Sequence, residues 1–401
     1  MKIIVFTYNI PRYDRSSGER RFVALLELLA ENNLVDLCVS RFYVEYLQDD
    51  YQKYIPELIA KGINVLPIRK GIVTEVLQQR KYDIGFFEFY WIAEENIFHF
   101  WKFQPGAITV VDSVDVHFAR EESQAKLGQI SWEKVNDTRK RELGIYRNAD
   151  ITLAVSEEDI SLLKDKYHIK NVLFVPNIVP SVPRKPGVRE PVALFIGSFL
   201  WPPNADAMIW FTHEIWPKIY RQNSKAKFQI IGSSPSPEML ALSEIPGIEV
   251  LGFVPETTPY LKNAAVSVAP LRYGGGMKGK VNEALSHGLP VVATSIGSQG
   301  FHAENGKEMI ITDDPDQFAV EIIGLFEDYQ KQELIGMAGQ QLNASLCSPE
   351  VVRDLLKKMI EQAEFIRASG SKRSTSVKIF LWRMRSKVKT AREIIRHYLK
   401  S

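Results

Sequence analysis

At 401 residues the chain is too long for one ordinary core and suits two domains with an appendage. Its 45% hydrophobic and 24% charged residues are those of a soluble globular fold, and no apolar run approaches the ~18 residues that span a bilayer. Two cysteines, Cys38 and Cys347, argue against a disulfide framework or a cysteine metal cluster and fit a reducing compartment.

The opening MKIIVFTYNIP holds too short an apolar run for a signal peptide, and residues 2–6 read as a first strand. TYNIPRYDRSSGERR then reads as a loop leading into a helix with Phe22, Leu25, Leu26 and Leu29 at helical spacing. Ligands in open α/β sheets bind at the carboxyl ends of strands, so Gly18 in this loop is a candidate cleft residue, with an ordinary βα connection as the other reading. Arg20 and Arg21 carry a weaker signal. VDLCVS, NVLPI, YDIGFFEF, AITVVDS, ITLAVS and VLFVP alternate with helical stretches, which predicts a doubly wound α/β domain over 1–177. The aromatic cluster Phe86, Phe87, Phe89, Tyr90 and Trp91 reads as core and cleft wall, or as the lining of an acceptor pocket. In VVDSVDVHFARE, an apolar strand is followed closely by Asp112, Asp115, His117 and Arg120, where chemistry sits in this architecture. Arg139, Lys140 and Arg141 read as the solvated face of a helix.

Residues 178–191, with Pro180, Pro183, Pro186 and Pro191, read as a linker. A second α/β series covers 192–345: VALFIGSF ends in Gly197 and Ser198, FQIIGSS and IEVLGFVPE repeat the form, and AVSVAPLRY leads to RYGGGMKGKVNEALSHGLPVVATSIGSQG. Gly274, Gly275 and Gly276 let bare amides approach a ligand. A helix starting near Met277 presents its positive dipole end there. Lys278 and Lys280 in its first turn are unfavourable for the helix alone and suit a bound diphosphate; a mobile glycine loop with solvated lysines is the plainer reading. Residues 315–345 and 346–368 read as helical, the latter with Val351, Leu355, Met359 and Ala363 on its apolar face. Residues 371–401 carry ten Lys or Arg and one acid, a net +9 that leaves −7 on the rest of a chain totalling +2. In this tail Val377, Phe380, Leu381, Met384, Val388, Ala391, Ile395 and Tyr398 follow helical spacing. That predicts a basic amphipathic helix for an anionic membrane surface through 377–400, with packing on the acidic body or another partner as alternatives.

The Arg272–Gly300 stretch resembles the donor-site signature of retaining glycosyltransferases of family four, which have the GT-B fold: two Rossmann-like domains facing a cleft, with a late helix crossing back onto the first domain. The resemblance implies that 346–368 is that helix and that Glu283, the second Glu of the family's Glu-x7-Glu pair, binds the donor ribose. The first Glu of that pair falls at Gly275 and is absent, and the family's basic pair falls at Ser198 and approximately Asn204. Arg272, Lys278 and Lys280 are then the replacement charges. His117 resembles the histidine beside the donor sugar, with Asp115 orienting it or meeting the acceptor. Gly197, Gly252, Val254 and Met277 match donor-binding positions.

The resulting expectation is a metal-independent, cofactor-free glycosyltransferase with His117, Lys278, Lys280 and Asp115 as catalytic residues. It uses a nucleotide diphosphate sugar and a saccharide or lipid-linked acceptor. It works in the cytoplasm, at the inner face of the membrane, in cell-surface polysaccharide or glycolipid synthesis, with no nucleic-acid partner. A catalytically silent nucleotide-sugar binder or scaffold of the same fold is the alternative. A dinucleotide oxidoreductase is set aside because no G-x-G-x-x-G follows the first strand.

Overall fold

The structure is a computed structural model that describes residues 1–40, 48–183, 187 and 189–369. The basic tail, with its surface 377–400, and part of the linker lie outside the described residues.

The first sheet comprises β1 (Lys2–Thr7), β2 (Leu34–Val39), β3 (Ile63–Val65), β4 (Ile84–Glu88), β5 (Ile108–Asp112), β6 (Ile151–Ala154) and β7 (Val172–Phe174). Its order is β3-β2-β1-β4-β5-β6-β7, every pair parallel. Parallel strands need crossovers, and these cover both faces with helices, hence the nearly unbroken apolar runs. In β1, Ile3 and Val5 enter one core and Ile4 and Phe6 the other, as period-2 alternation requires. The order reverses between β1 and β4, so Thr7, Glu88 and Asp112 stand at the carboxyl edge beside this switch point.

A second parallel sheet follows: β8 (Glu190–Ile196), β9 (Lys227–Ile231), β10 (Ile248–Gly252), β11 (Ala264–Ala269), β12 (Val291–Ala293) and β13 (Ile310–Ile311), in the order β10-β9-β8-β11-β12-β13. Its switch point lies between β8, which runs into Gly197, and β11, which runs into the glycine loop. Val155 of the first domain packs in the same cluster as Met277 and Val281 of the second.

Three local features differ from the sequence reading. Ser16 caps Glu19 N–H and donates its hydroxyl to the Glu19 carboxylate at 3.2 Å, so the first helix starts at Ser17 and takes in Gly18. The segment 315–345 is two helices, Pro315–Glu327 and Tyr329–Cys347, because Asp328 ends one and N-caps the next. On the helix Pro349–Ala368 the buried residues are Val352, Leu356, Met359 and Ala363. The doublets Val351-Val352 and Leu355-Leu356 made two stripes equally apolar. This helix joins the core of β1, so the end of the described chain belongs to the first domain.

Candidate functional site

The glycine loop is pressed against the first domain. Gly276 has φ +60, and a Cβ there would lie 3.1 Å from Val155 and 3.2 Å from Asp115. At Gly275 an added Cβ would meet Asp115 Oδ2 and Arg120 Cβ, each at 3.2 Å. A Cβ at either position would need these first-domain neighbours to give by a few tenths of an ångström, and at Gly276 the positive φ would strain it as well. Tight contact extends to the helix starts, since a Cβ on Gly279 would strike that of Ser17 at 2.2 Å. Gly18 beside it is exposed and faces open space.

Lys278 and Lys280 have different surroundings. Lys278 is the N-cap of the helix Gly279–Ser286, and its Nζ folds back to donate to Gly276 O (2.6 Å) and Gly275 O (3.2 Å). Burial pushes it down to about 8, against the pull of Asp159 and Asp115. Lys280 has one neutral partner, the Asn204 side-chain oxygen, and its Nζ stands 4.4 Å over the Phe195 ring. Burial, then the Lys278 charge, push it down to about 7. It is also the cation nearest the end of β8, because a Cβ on Gly197 would lie 3.2 Å from its Nζ. Ser198 accepts the Ser233 hydroxyl at 2.9 Å and its carbonyl holds Asn204 at 2.7 Å.

Glu283 accepts the Thr257 hydroxyl (2.5 Å) and the Arg20 guanidinium of the first domain (3.5 Å). Ser17, Arg20, Gly279 and Glu283 thus line one small hollow between the domains. Gly252 and Val254 precede Thr257 on the loop that supplies this contact. Arg272 ion-pairs with Asp206, which also accepts from Gln129 across the domain boundary at 3.4 Å. Met277 is buried, its carbonyl held by Asn177 at 3.3 Å.

Facing the loop from the first domain, the helix His117–Lys126 begins after a turn in which Val114 has φ +59. His117 Nδ1 lies 3.2 Å from both the carbonyl oxygen and Oδ1 of Asp115, and 3.6 Å from Glu142 Oε1. Burial would lower its basicity, but Asp115 and Glu142 outweigh that and hold it above the ordinary histidine value. Asp115 is ion-paired with Arg120; despite burial, that charge and His117 hold its carboxyl below the usual range. Phe89, which has a positive φ of +67, and Tyr90 set their rings edge-on to His117 at 5.8 and 5.3 Å. Of the aromatic cluster, Phe86, Phe87 and Tyr90 are buried, while Phe89 and Trp91 stack at 5.4 Å half-buried.

For several residues here the sequence reading missed the partners or the burial. Arg21 makes a two-pronged, buried ion pair with Asp112 (2.6 and 3.2 Å) and ties Val175 O and Pro176 O to the same point. Glu142 is fully buried on the helix Trp132–Tyr146. Arg139 and Arg141, expected on a solvated face, are half-buried and paired with Glu122 and Glu94, whereas Lys140 is exposed. Asp159 is buried with one oxygen unpartnered, and burial pushes it up to about 7. Among the described residues, no group of three or more His, Cys, Asp or Glu is arranged to hold a metal ion, and no helix is long and apolar enough to cross a membrane.

Residues 190–328 match the family described as glycosyl transferases group 1. A curated Klebsiella pneumoniae protein, an uncharacterized 44.6 kDa protein in the cps region, is 27% identical over 138 residues, 32% of this chain and 36% of that protein. The chain therefore spans about a third of that relative's length in the match. Among solved structures, Anabaena HepE in complex with UDP and glucose is similar at TM-score 0.65 and 14% identity, covering 90% of this chain and 99% of its own. Sucrose-phosphate synthase from Thermosynechococcus elongatus is similar at TM-score 0.66 and 14% identity, covering 90% and 98%. At such identities these likenesses establish fold. The chain has the GT-B fold, two parallel-sheet α/β domains closing on one cleft, and residues 190–328 of it match the glycosyl transferases group 1 family.

Proposed function

We propose that this chain is a retaining glycosyltransferase that moves a sugar from a nucleotide diphosphate sugar to a saccharide or lipid-linked acceptor without a divalent metal. One observation carries the reading. Lys280, the glycine loop and the start of the helix Gly279–Ser286 make a cationic end of the cleft, and the Asp115–His117 turn closes over it from the first domain. When the bond between the sugar and the diphosphate breaks, the electron pair leaves on the phosphate oxygen. The lysine charge, the loop amides and the helix dipole are already aimed there, the kind of preorganised electrostatics that supplies much of enzymatic rate enhancement. The acceptor oxygen forms the new glycosidic bond, and its proton departs with the diphosphate. Glu283 and Thr257 take the ribose hydroxyls, and His117 meets the sugar.

The HepE complex with UDP and glucose and the relative from a cps region support a nucleotide-sugar donor and a place in cell-surface polysaccharide synthesis. Action at an anionic inner membrane face is proposed from the charge of 371–401 alone. The test is calorimetry of UDP-, GDP- and dTDP-sugars on the wild type and Lys280→Ala, with and without EDTA, followed by turnover of His117→Ala. Binding of one donor that survives EDTA and weakens in Lys280→Ala is expected, with turnover lost in His117→Ala. Binding with no turnover in the wild type would make the chain a silent nucleotide-sugar binder; no binding at all would sink the reading.

A further inference from the structure

Glu142 stands inside the molecule, on a helix whose sequence reads as charged surface. Its Oε1 accepts the backbone N–H of His117 at 3.0 Å and the Tyr146 hydroxyl at 2.8 Å, and its Oε2 accepts the N–H of Phe118 at 3.0 Å. The helix His117–Lys126 has Val116 at its N-cap and so lacks a capping side chain of its own. Glu142 supplies the cap from a neighbouring helix, where a carboxylate also complements the dipole.

Capping alone does not account for the ring. Oε1 lies 3.6 Å from His117 Nδ1, and the Asp115 carbonyl oxygen and Oδ1 each lie at 3.2 Å. Every polar atom around Nδ1 is an acceptor, so that nitrogen carries the hydrogen. Nε2 has no hydrogen-bond partner among the described residues. We propose that Glu142, together with Asp115, is a positioning residue for His117: it fixes the backbone from which the ring departs and the hydrogen on Nδ1, so that Nε2 is the atom offered to the substrate. What Nε2 meets rests on the glycosyl-transfer reading; how the ring is held does not. The other groups facing the ring are Arg120, whose charge opposes protonation, the phenol of Tyr90 and the ring of Phe89.

The experiment uses the full chain with 15N-labelled histidine, the His117 signals being identified by their loss in His117→Asn. Expected for the wild type is the Nδ1–H tautomer when the ring is neutral. Glu142→Gln removes the charge and must move the His117 titration to lower pH. Turnover should then fall by roughly 10–100-fold, the range found when outer partners of ligating histidines are removed, in kcat rather than in KM for the donor. A neutral Nε2–H tautomer, or an unchanged titration in Glu142→Gln, overturns the proposal and leaves Glu142 a helix cap only. If Glu142→Gln does not fold, Tyr146→Phe carries the test. That change frees Oε1 of the tyrosine hydroxyl and must move the titration to higher pH, and no movement overturns the proposal. If no donor is turned over, the titrations still decide it, so the two readings fail separately.

Discussion

Diphosphate binding to this cleft should take up protons. Lys278 and Lys280 are held down to about 8 and about 7, chiefly by burial. At pH 7.5 roughly three-quarters of the first and one-quarter of the second carry their proton. Lys278 already spends its donors on the Gly275 and Gly276 carbonyls, whereas an anion placed against Lys280 favours its charged form, so binding a nucleoside diphosphate at pH 7.5 takes up roughly three-quarters of a proton. By linkage, the dissociation constant must then rise about fivefold between pH 7 and pH 8, and by up to about tenfold per unit above that. The assay is titration calorimetry of the diphosphate product in two buffers of different ionisation enthalpy, whose difference in apparent heat counts the protons. Lys280→Met should abolish the uptake and flatten the pH dependence. A buffer-independent heat and a flat affinity from pH 7 to 8 would refute the reasoning, since binding that never touches the lysines has no proton to collect.

Other consequences are more local. Leu356→Ala should cost about 2–5 kcal/mol in denaturant melts, because Leu356 is buried in the first domain's core; a loss confined to the second domain would contradict that assignment. Arg21→Met leaves Asp112 charged and buried without its partner, so a loss of about 3–5 kcal/mol is expected by chemical denaturation. Glu88 is pushed up to about 8 by burial, its Thr7 hydrogen bond opposing and Asp112 adding to the rise. A raised acid favours the fold most at low pH and loses that contribution as pH climbs from the unfolded value toward 8, so Glu88→Gln should stabilise by about 3 kcal/mol at pH 7 and by little at pH 5. Equal effects at the two pH values would argue that Glu88 ionises normally. Gly275→Leu should keep the melting temperature of the second domain but enlarge the radius of gyration in small-angle scattering, since Asp115 and Arg120 already stand 3.2 Å from an added Cβ and a leucine extends beyond it.

The fold was legible because buried parallel strands write themselves as apolar runs, and each run from KIIVF to LPVVATS became a strand. Part of the candidate site was legible for a related reason: glycines and lysines at a helix start have few purposes, and the loop does pack against the Asp115–His117 turn. The sequence did not reveal which lysine stays available. Lys278 and Lys280 look alike in KGK, yet the N-cap position turns the first back onto the loop carbonyls while the second, inside the helix, points toward β8. Nor did it reveal partners held by distant segments. Glu142 lies 25 positions from the histidine nitrogen it holds, and Arg21 lies 91 from Asp112. Each sits among other charges, RKREL and GERR, where solvation explains the composition as well as pairing does. Burial separates the two, and only the packing of one helix on another determines burial. The sequence therefore marks candidate residues for facing the proposed donor, whose types that chemistry would constrain. Those that hold them in place need only a matching charge at the right point in space, and spacing along the chain carries no trace of that.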